Sequence, residues 1–235
     1  TKAYDVEAAL GPFAKPDGRG PAVLLLQNGM GSAEVARRVM GPQTPIYSTA
    51  MMIGMVRNSP THVAVTAHSS PILSGALLGD DEAELQTLLA FAQDGIVPMQ
   101  HDENIRQTIS FKLLFNSCMN PTGALIGRTY GELLENPHSR ELIAALADET
   151  LAAYATAWDY RPAEDGHHYV EEVLNAIIFP RSAGHRSSMV QVLDAGPPTE
   201  IDFLNGAVVS LAKQQGLDAP FHRSIVSLIH AREMV

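Results

Sequence analysis

Only one cysteine, Cys118, stands in the 235 residues. No intramolecular disulfide can form, which fits a reducing compartment and points to the cytoplasm. Basic residues are also short: Lys and Arg total 16 against 26 Asp and Glu, for a formal net charge of -10. That argues against nucleic acid, whose phosphates want a basic face, and against an anionic membrane surface. A small anionic ligand stays open, because a local cationic pocket can sit in an acidic protein. No apolar run approaches the length that spans a bilayer. The opening T-K-A-Y-D-V-E lacks the apolar stretch of a signal peptide. It also lacks an initiating Met, so the expectation is a chain that begins inside a longer gene product. No G-x-S-x-G elbow supports a serine hydrolase, and there are no internal repeats or low-complexity tracts.

Hydrophobic residues make up 46%, an ordinary share that can build a core. The first hundred residues alternate. Asp5 to Leu10 reads as a short helix ending near Gly11-Pro12, and Ala22 to Gln27 as a buried strand. Ser32 is placed to cap a helix that runs to Met40. Ile46 to Val56, His62 to Ala67 and Ile72 to Leu78 read as strands. The last two flank H-S-S-P and so suggest an antiparallel hairpin. Asp80 to Ala92 reads as a helix and Ile96 to Met99 as a last strand. Beyond about Glu103 strand signals vanish, and helices are expected over 104–120, 138–158, 166–178, 200–215 and 220–233. In the fourth, Thr199 is expected to cap, with Asp202 reaching back to it. The layout is α/β followed by all-α, with domains 1–103 and 104–235. Ligand sites favour such seams.

The segment F-K-L-L-F-N-S-C-M-N-P, residues 111 to 121, carries the sharpest signal. Steps of four advance about 40° around a helix, so Lys112, Asn116 and Asn120 lie along one stripe. Leu113, Leu114, Phe115 and Met119 make most of the remainder apolar. A buried ammonium and two buried amides need partners, which other side chains or a polar ligand would supply. The ordinary alternative is a solvated stripe on a surface helix. Pro121 removes an N–H, frees the carbonyl of Ser117 and is expected to kink or stop the helix.

K-L-L-F-N-S-C-M-N-P-T-G-A-L, with G-E-L at 131–133, resembles the central signature of the ketopantoate reductase family. L-L-L-Q-N-G-M-G at 24–31 resembles its Q-N-G motif. S-S-M-V-Q-V-L at 187–193 and P-T-E-I-D-F-L-N-G-A-V-V at 198–209 resemble its C-terminal signature. The motifs agree in order and spacing over essentially the whole chain. The resemblance implies an incomplete Rossmann-like NADP-binding domain, then a helical domain of the ketopantoate reductase and 6-phosphogluconate dehydrogenase-like type. It implies NADPH-dependent reduction of a 2-oxo acid, 2-dehydropantoate to pantoate, and a possible homodimer through the helical half.

Carried over by position, the resemblance makes Lys112 the proton donor and Glu200 the acceptor for a substrate hydroxyl. It makes Asn116, Asn120 and Ser188 substrate ligands, and places Asn28 at the nicotinamide and Lys2 near the cofactor phosphate. Each has a plainer reading: Glu200 a helix N-terminal charge, Ser188 or Ser187 a cap, Asn28 a turn residue, Lys2 a solvated terminal lysine. Two departures stand out. Tyr130 replaces the asparagine of the family's N-G-E-L, which opens the choice of keto acid. The Gly-rich G-x-G-x-x-G loop is absent, so the chain is expected to bind NADPH poorly by itself and reads as the back portion of a reductase. The competing expectation is a non-catalytic binding or dimerisation module. His168 and Glu172 share a helix face but lack a third ligand, so no metal site is expected. Cys118 reads as an inert buried thiol.

Overall fold

A computed structural model describes residues 1–68, 71–92, 95, 97–178, 182–196 and 198–234. It divides into two units, Thr1–Ile109 and Ser110–Val235.

In the first unit, α1 (Val6–Leu10) follows a 3-10 turn, and β1 (Val23–Leu25) leads through Q-N-G-M-G into α2 (Ser32–Met40). Gly31 takes the cap position with φ +104°, a left-handed conformation that glycine adopts without strain. The expected Ser32 cap is thereby displaced by one residue. β2 (Ile46–Ala50), β3 (Ile53–Ser59), β4 (His62–His68) and β5 (Ile72–Gly75) follow, then α3 (Ala83–Ala92) and β6 (Met99–His101). The main sheet runs β1-β2-β5-β6, with β1 parallel to β2, β2 antiparallel to β5 and β5 parallel to β6. Residue alternation splits its faces. Val23, Leu25, Ile46 and Ala50 pack with Ala33, Ala36 and Met40 of α2, whereas Tyr47 packs with Leu85 and Leu89 of α3. A mixed sheet, parallel in two of its three pairings and packed by α2 on one face and α3 on the other, makes this unit Rossmann-like.

Two sequence expectations are corrected here. Ile46 to Val56 is two strands in two sheets, separated at Met51-Met52. The hairpin is β3 with β4, not β4 with β5: Pro60-Thr61 gives the tighter turn, and β5, with Ser74 and Ile72 buried, joins the main sheet beside β2. Ser69 and Ser70 of H-S-S-P, and Ile96, lie outside the described residues.

The second unit is largely helical. The helix α4 (Ile105–Ile126) supplies its first segment, from Ser110 on. Then come α5 (Tyr130–Glu135) and α6 (Pro137–Trp158). Thr129 and Glu132 form a capping box on α5. Asn136 caps α6 and Pro137 takes its first position, where a missing N–H costs nothing. A continuous helical stretch follows: α7 (Gly166–His168), a π-helical segment Tyr169–Leu174 and α8 (Asn175–Ile178). The last helices are α9 (Ser188–Ala195), α10 (Asn205–Gln214) and α11 (Pro220–Glu233). Leu113, Leu114, Met119, Leu133, Ile143, Leu146, Tyr154 and Tyr169 are fully buried in this unit. Truncating one such leucine to alanine costs about 2–5 kcal/mol.

Pro121 does not end α4. The helix continues five residues further and stops at Gly127, whose φ is +76°. The reason is a replacement donor: the Ser117 carbonyl accepts from Asn205 Nδ2 at 3.0 Å. The helix expected over 200–215 also differs. A 3-10 turn, Ile201–Phe203, precedes α10, and Leu204 breaks the run at φ -104° and ψ -92°. Asp202 does not reach back to Thr199. Glu233 of α11 holds that threonine instead, through its N–H at 2.7 Å and its hydroxyl at 2.6 Å.

Candidate active site

The second unit brings together most of the residues expected to do chemistry. Asn116 and Asn120 are buried, at 8% and 7% exposure, so neither sits on a solvated stripe. Lys112 is half-buried one turn before them. Burial lowers its pKa from 10.5 to about 8, and the Glu200 carboxylate opposes that shift. The amine is therefore close to the range where a group gives up a proton near neutrality, while remaining mostly cationic there.

Asn120 is held at two points. Its backbone carbonyl accepts from Ser187 Oγ at 3.0 Å, and its side-chain Oδ1 accepts from the Tyr130 hydroxyl at 2.7 Å. Tyr130 is fixed in turn. Its N–H donates to the His185 carbonyl, and the next N–H, of Gly131, donates to that of Ala183. A glycine suits this close approach, since a Cβ at Gly131 would lie 3.0 Å from the Ala183 side chain and 3.1 Å from its carbonyl oxygen. The Tyr130 ring meets Phe115 edge to face, centroids 5.6 Å apart, and lies 5.2 Å from His185. Burial raises the phenol's pKa, so it stays a neutral donor.

Glu200 precedes the 3-10 turn, and its carbonyl accepts from the N–H groups of Phe203 and Leu204. The loop is pinned beside it. Glu233 Oε1 takes both Thr199 donors, His230 Nδ1 lies 2.7 Å from Glu233 Oε2, and His230 Nε2 lies 3.0 Å from Asp202 Oδ1. Those carboxylates raise the pKa of His230. Of the two serines, Ser187 is buried and tied to α4, whereas Ser188 is exposed as the first residue of α9.

In the first unit, the residues preceding Asn28 and Lys2 are hydrogen-bonded to each other. Gln27 Nε2 reaches the carbonyl and hydroxyl of Thr1, each at 3.3 Å. Gly29 and Gly31 both have positive φ, which opens the backbone between β1 and α2. A cavity of about 20 Å³ lies behind this loop, lined by Gln27, Gly29, Gly31, Ser32, Ser48 and Thr49 among others. Among the described residues, Gln27 Oε1 and Ser32 Oγ are buried without a hydrogen-bond partner. The two glycines leave this loop's backbone without Cβ cover, and the two unpaired polar atoms lie behind it.

Among the described residues no group of three or more His, Cys, Asp and Glu could hold a metal ion, and no helix is long and apolar enough to cross a membrane. Cys118 is fully buried, and burial pushes its thiol pKa up. The residues that sequence reasoning missed are Glu233, His230, Asn205 and His222. They tie together the segments around it through bonds that span up to 88 positions in sequence, as from Asn205 to Ser117.

The family model described as "Ketopantoate reductase PanE/ApbA C terminal" matches residues 104–233, and "Ketopantoate reductase PanE/ApbA" matches residues 1–78. The 2-dehydropantoate 2-reductase of Aquifex aeolicus is 30% identical over 237 residues, covering 99% of this chain and 74% of that relative. That of Archaeoglobus fulgidus is 28% identical, with the same coverage. Among solved structures, the ternary structure of D-mandelate dehydrogenase with NADH and anilino(oxo)acetate matches with a TM-score of 0.83. It is 24% identical and covers 99% of this chain and 74% of its own, a likeness of fold.

Proposed function

Since the chain belongs to the ketopantoate reductase family, a nicotinamide-dependent family of 2-oxo acid reductases, we propose that it reduces a 2-oxo acid with NADPH, first of all 2-dehydropantoate to pantoate. The observation that carries this reading is Lys112, half-buried on the face that holds Asn116 and Asn120, with a pKa of about 8 under the influence of Glu200. Lys2 and Asn28 would hold NADPH, which supplies a hydride to the keto carbon when bound. The Lys112 ammonium polarises the carbonyl oxygen, stabilises the charge that builds on it and delivers the proton that completes the alcohol. The free amine then takes a proton back from water. Asn116, Asn120 and Ser188 orient the acid by hydrogen bonds, and Glu200, accepting only, receives the substrate hydroxyl.

A second reading, reduction of a different 2-oxo acid, draws on one feature. The Tyr130 hydroxyl occupies Asn120 Oδ1, so the asparagine offers its N–H groups. A donor suits a carboxylate or keto oxygen better than it suits a hydroxyl.

The test is oxidation of NADPH and NADH by the complete gene product, with 2-dehydropantoate and a panel of other 2-oxo acids. Turnover should fall about 10²–10⁴-fold in Lys112→Ala, the usual worth of a general acid. No turnover of any 2-oxo acid, or a Lys112→Ala variant as active as its parent, would refute the proposal and favour a non-catalytic binding module.

A further inference from the structure

Pro121 lies inside α4, directly after Asn120. Its ring nitrogen has no hydrogen, so the carbonyl of Ser117 receives no helical bond. Ser117 is fully buried, and an unpaired buried carbonyl is unfavourable. Asn205 of α10 supplies the missing donor through Nδ2, at 3.0 Å. A carbonyl can only accept, so the orientation of the Asn205 amide is fixed.

The same Nδ2 lies 3.0 Å from His222 Nδ1 of α11. That ring nitrogen must therefore accept, which places the hydrogen of His222 on Nε2. Nε2 is 2.9 Å from the Leu146 carbonyl and 2.9 Å from Thr150 Oγ1, which itself donates to Leu146 O at 3.0 Å. Ser117, Thr150, Asn205 and His222 are all at 0% exposure. Every step of this chain has one allowed direction. A protonated His222 would point a hydrogen at the Asn205 amide hydrogens, and burial pushes its pKa down to about 4, so it is neutral.

Among the described residues the network leaves Asn205 Oδ1 buried without a hydrogen-bond partner, so its value lies in the fixed direction of the remaining bonds and not in stability. What it defines is the turn of α4 from Asn116 to Asn120. We propose that Asn205, oriented by His222, is a positioning residue. It holds the proline-bearing turn so that the Asn116 and Asn120 carboxamides keep a fixed register with Lys112. It touches no substrate. The inference rests on reading this face as the 2-oxo acid site.

The pairing of Asn205 with Pro121 gives a test that ordinary destabilisation cannot mimic. Pro121→Ala restores the backbone N–H that bonds Ser117 O, so Asn205 becomes dispensable. The parent, Asn205→Leu, Pro121→Ala and the double variant are compared by melting temperature and by separate kcat and KM for the 2-oxo acid. Asn205→Leu is expected to raise KM about tenfold or more, the factor equivalent to one hydrogen bond of ordinary net worth. In the Pro121→Ala background the same change should raise KM by less than about threefold. If Asn205→Leu does not fold, Asn205→Ser replaces it in the same cycle. A variant that melts lower but keeps the parent's KM and kcat would overturn the inference, as would an equal penalty in both backgrounds. No turnover by the parent would overturn the functional reading beneath it, whereas turnover without coupling overturns this inference alone.

Discussion

Lys112 sets a pH limit on the proposed reaction. With a pKa of about 8, it is about 90% protonated at pH 7 and about 10% protonated at pH 9. At its ordinary value of 10.5 it would remain about 97% protonated at pH 9. If the ammonium is the acid, kcat/KM for the keto acid falls about tenfold from pH 7 to pH 9, and about tenfold for each further unit. Glu200 supplies a second handle. Its negative charge favours the ammonium, so Glu200→Gln removes the influence that raises the pKa. Lys112 then loses its proton more easily, and the alkaline fall moves to lower pH. The assay is the initial rate of reduced-nicotinamide oxidation at low keto acid, from about pH 6 to pH 10. A Lys112→Arg variant, whose guanidinium does not titrate there, should show no such fall in any activity it retains. A profile flat to pH 10 in the parent, or a Glu200→Gln limb that moves upward, refutes the reasoning.

Three further outcomes are expected. His222 is held neutral with a pKa of about 4 against 6.5 unfolded. Stability is therefore full above about pH 6.5 and lost as pH falls towards 4, where the unfolded chain binds the extra proton; the total is roughly 3 kcal/mol at most. Urea titrations between those limits check it, and a His222→Gln variant with the same pH slope would contradict it. Glu233→Ala removes the acceptor that both donors of buried Thr199 share. It should cost about 1–3 kcal/mol in thermal unfolding and raise KM through the Glu200 loop, and an unchanged KM would limit Glu233 to stability. Tyr130→Phe frees Asn120 Oδ1. It should shift the ratio of kcat/KM for 2-dehydropantoate over its analogue lacking the hydroxyl, and a constant ratio would remove Tyr130 from specificity.

The fold was legible where local signals and burial agree. The A-V-L-L-L-Q run, the Ser32 to Met40 helix and the long helix from Pro137 all appear within a few residues of expectation. The failures share one cause. Strand pairing is a choice between partners: Ile72 to Leu78 has the same local character whether it pairs with β4 or, as found, with β2. Pro121 ends a helix only if the carbonyl it frees has no other donor, and that donor lies 88 positions away. Thr199 and Asp202 have the spacing of a capping box, yet Glu233 offers an ionised acceptor for both threonine donors and Asp202 turns to His230.

The same asymmetry governs the site. Lys112, Asn116 and Asn120 are visible in sequence because one helix carries them, and helical spacing alone puts them on one stripe. Their chemistry is set from elsewhere. Burial moves Lys112 down and Glu200, contributed by a loop before α10, moves it back up. Asn120 is a generic amide until Ser187 and Tyr130 take its two oxygens. Position 130 shows how far this goes. A phenol there does more than fill the place of a carboxamide: through one hydrogen bond of 2.7 Å it occupies Asn120 Oδ1 and leaves that residue's amide N–H groups. Under the proposed function, substrate choice would therefore be a property of the pair and not of either residue. Replacing Tyr130 and Asn120 together should give an effect on the substrate ratio that differs from the product of the single changes, since residues sharing a buried bond are coupled by about 0.5–3 kcal/mol. If the two effects simply multiply, Tyr130 acts by bulk alone.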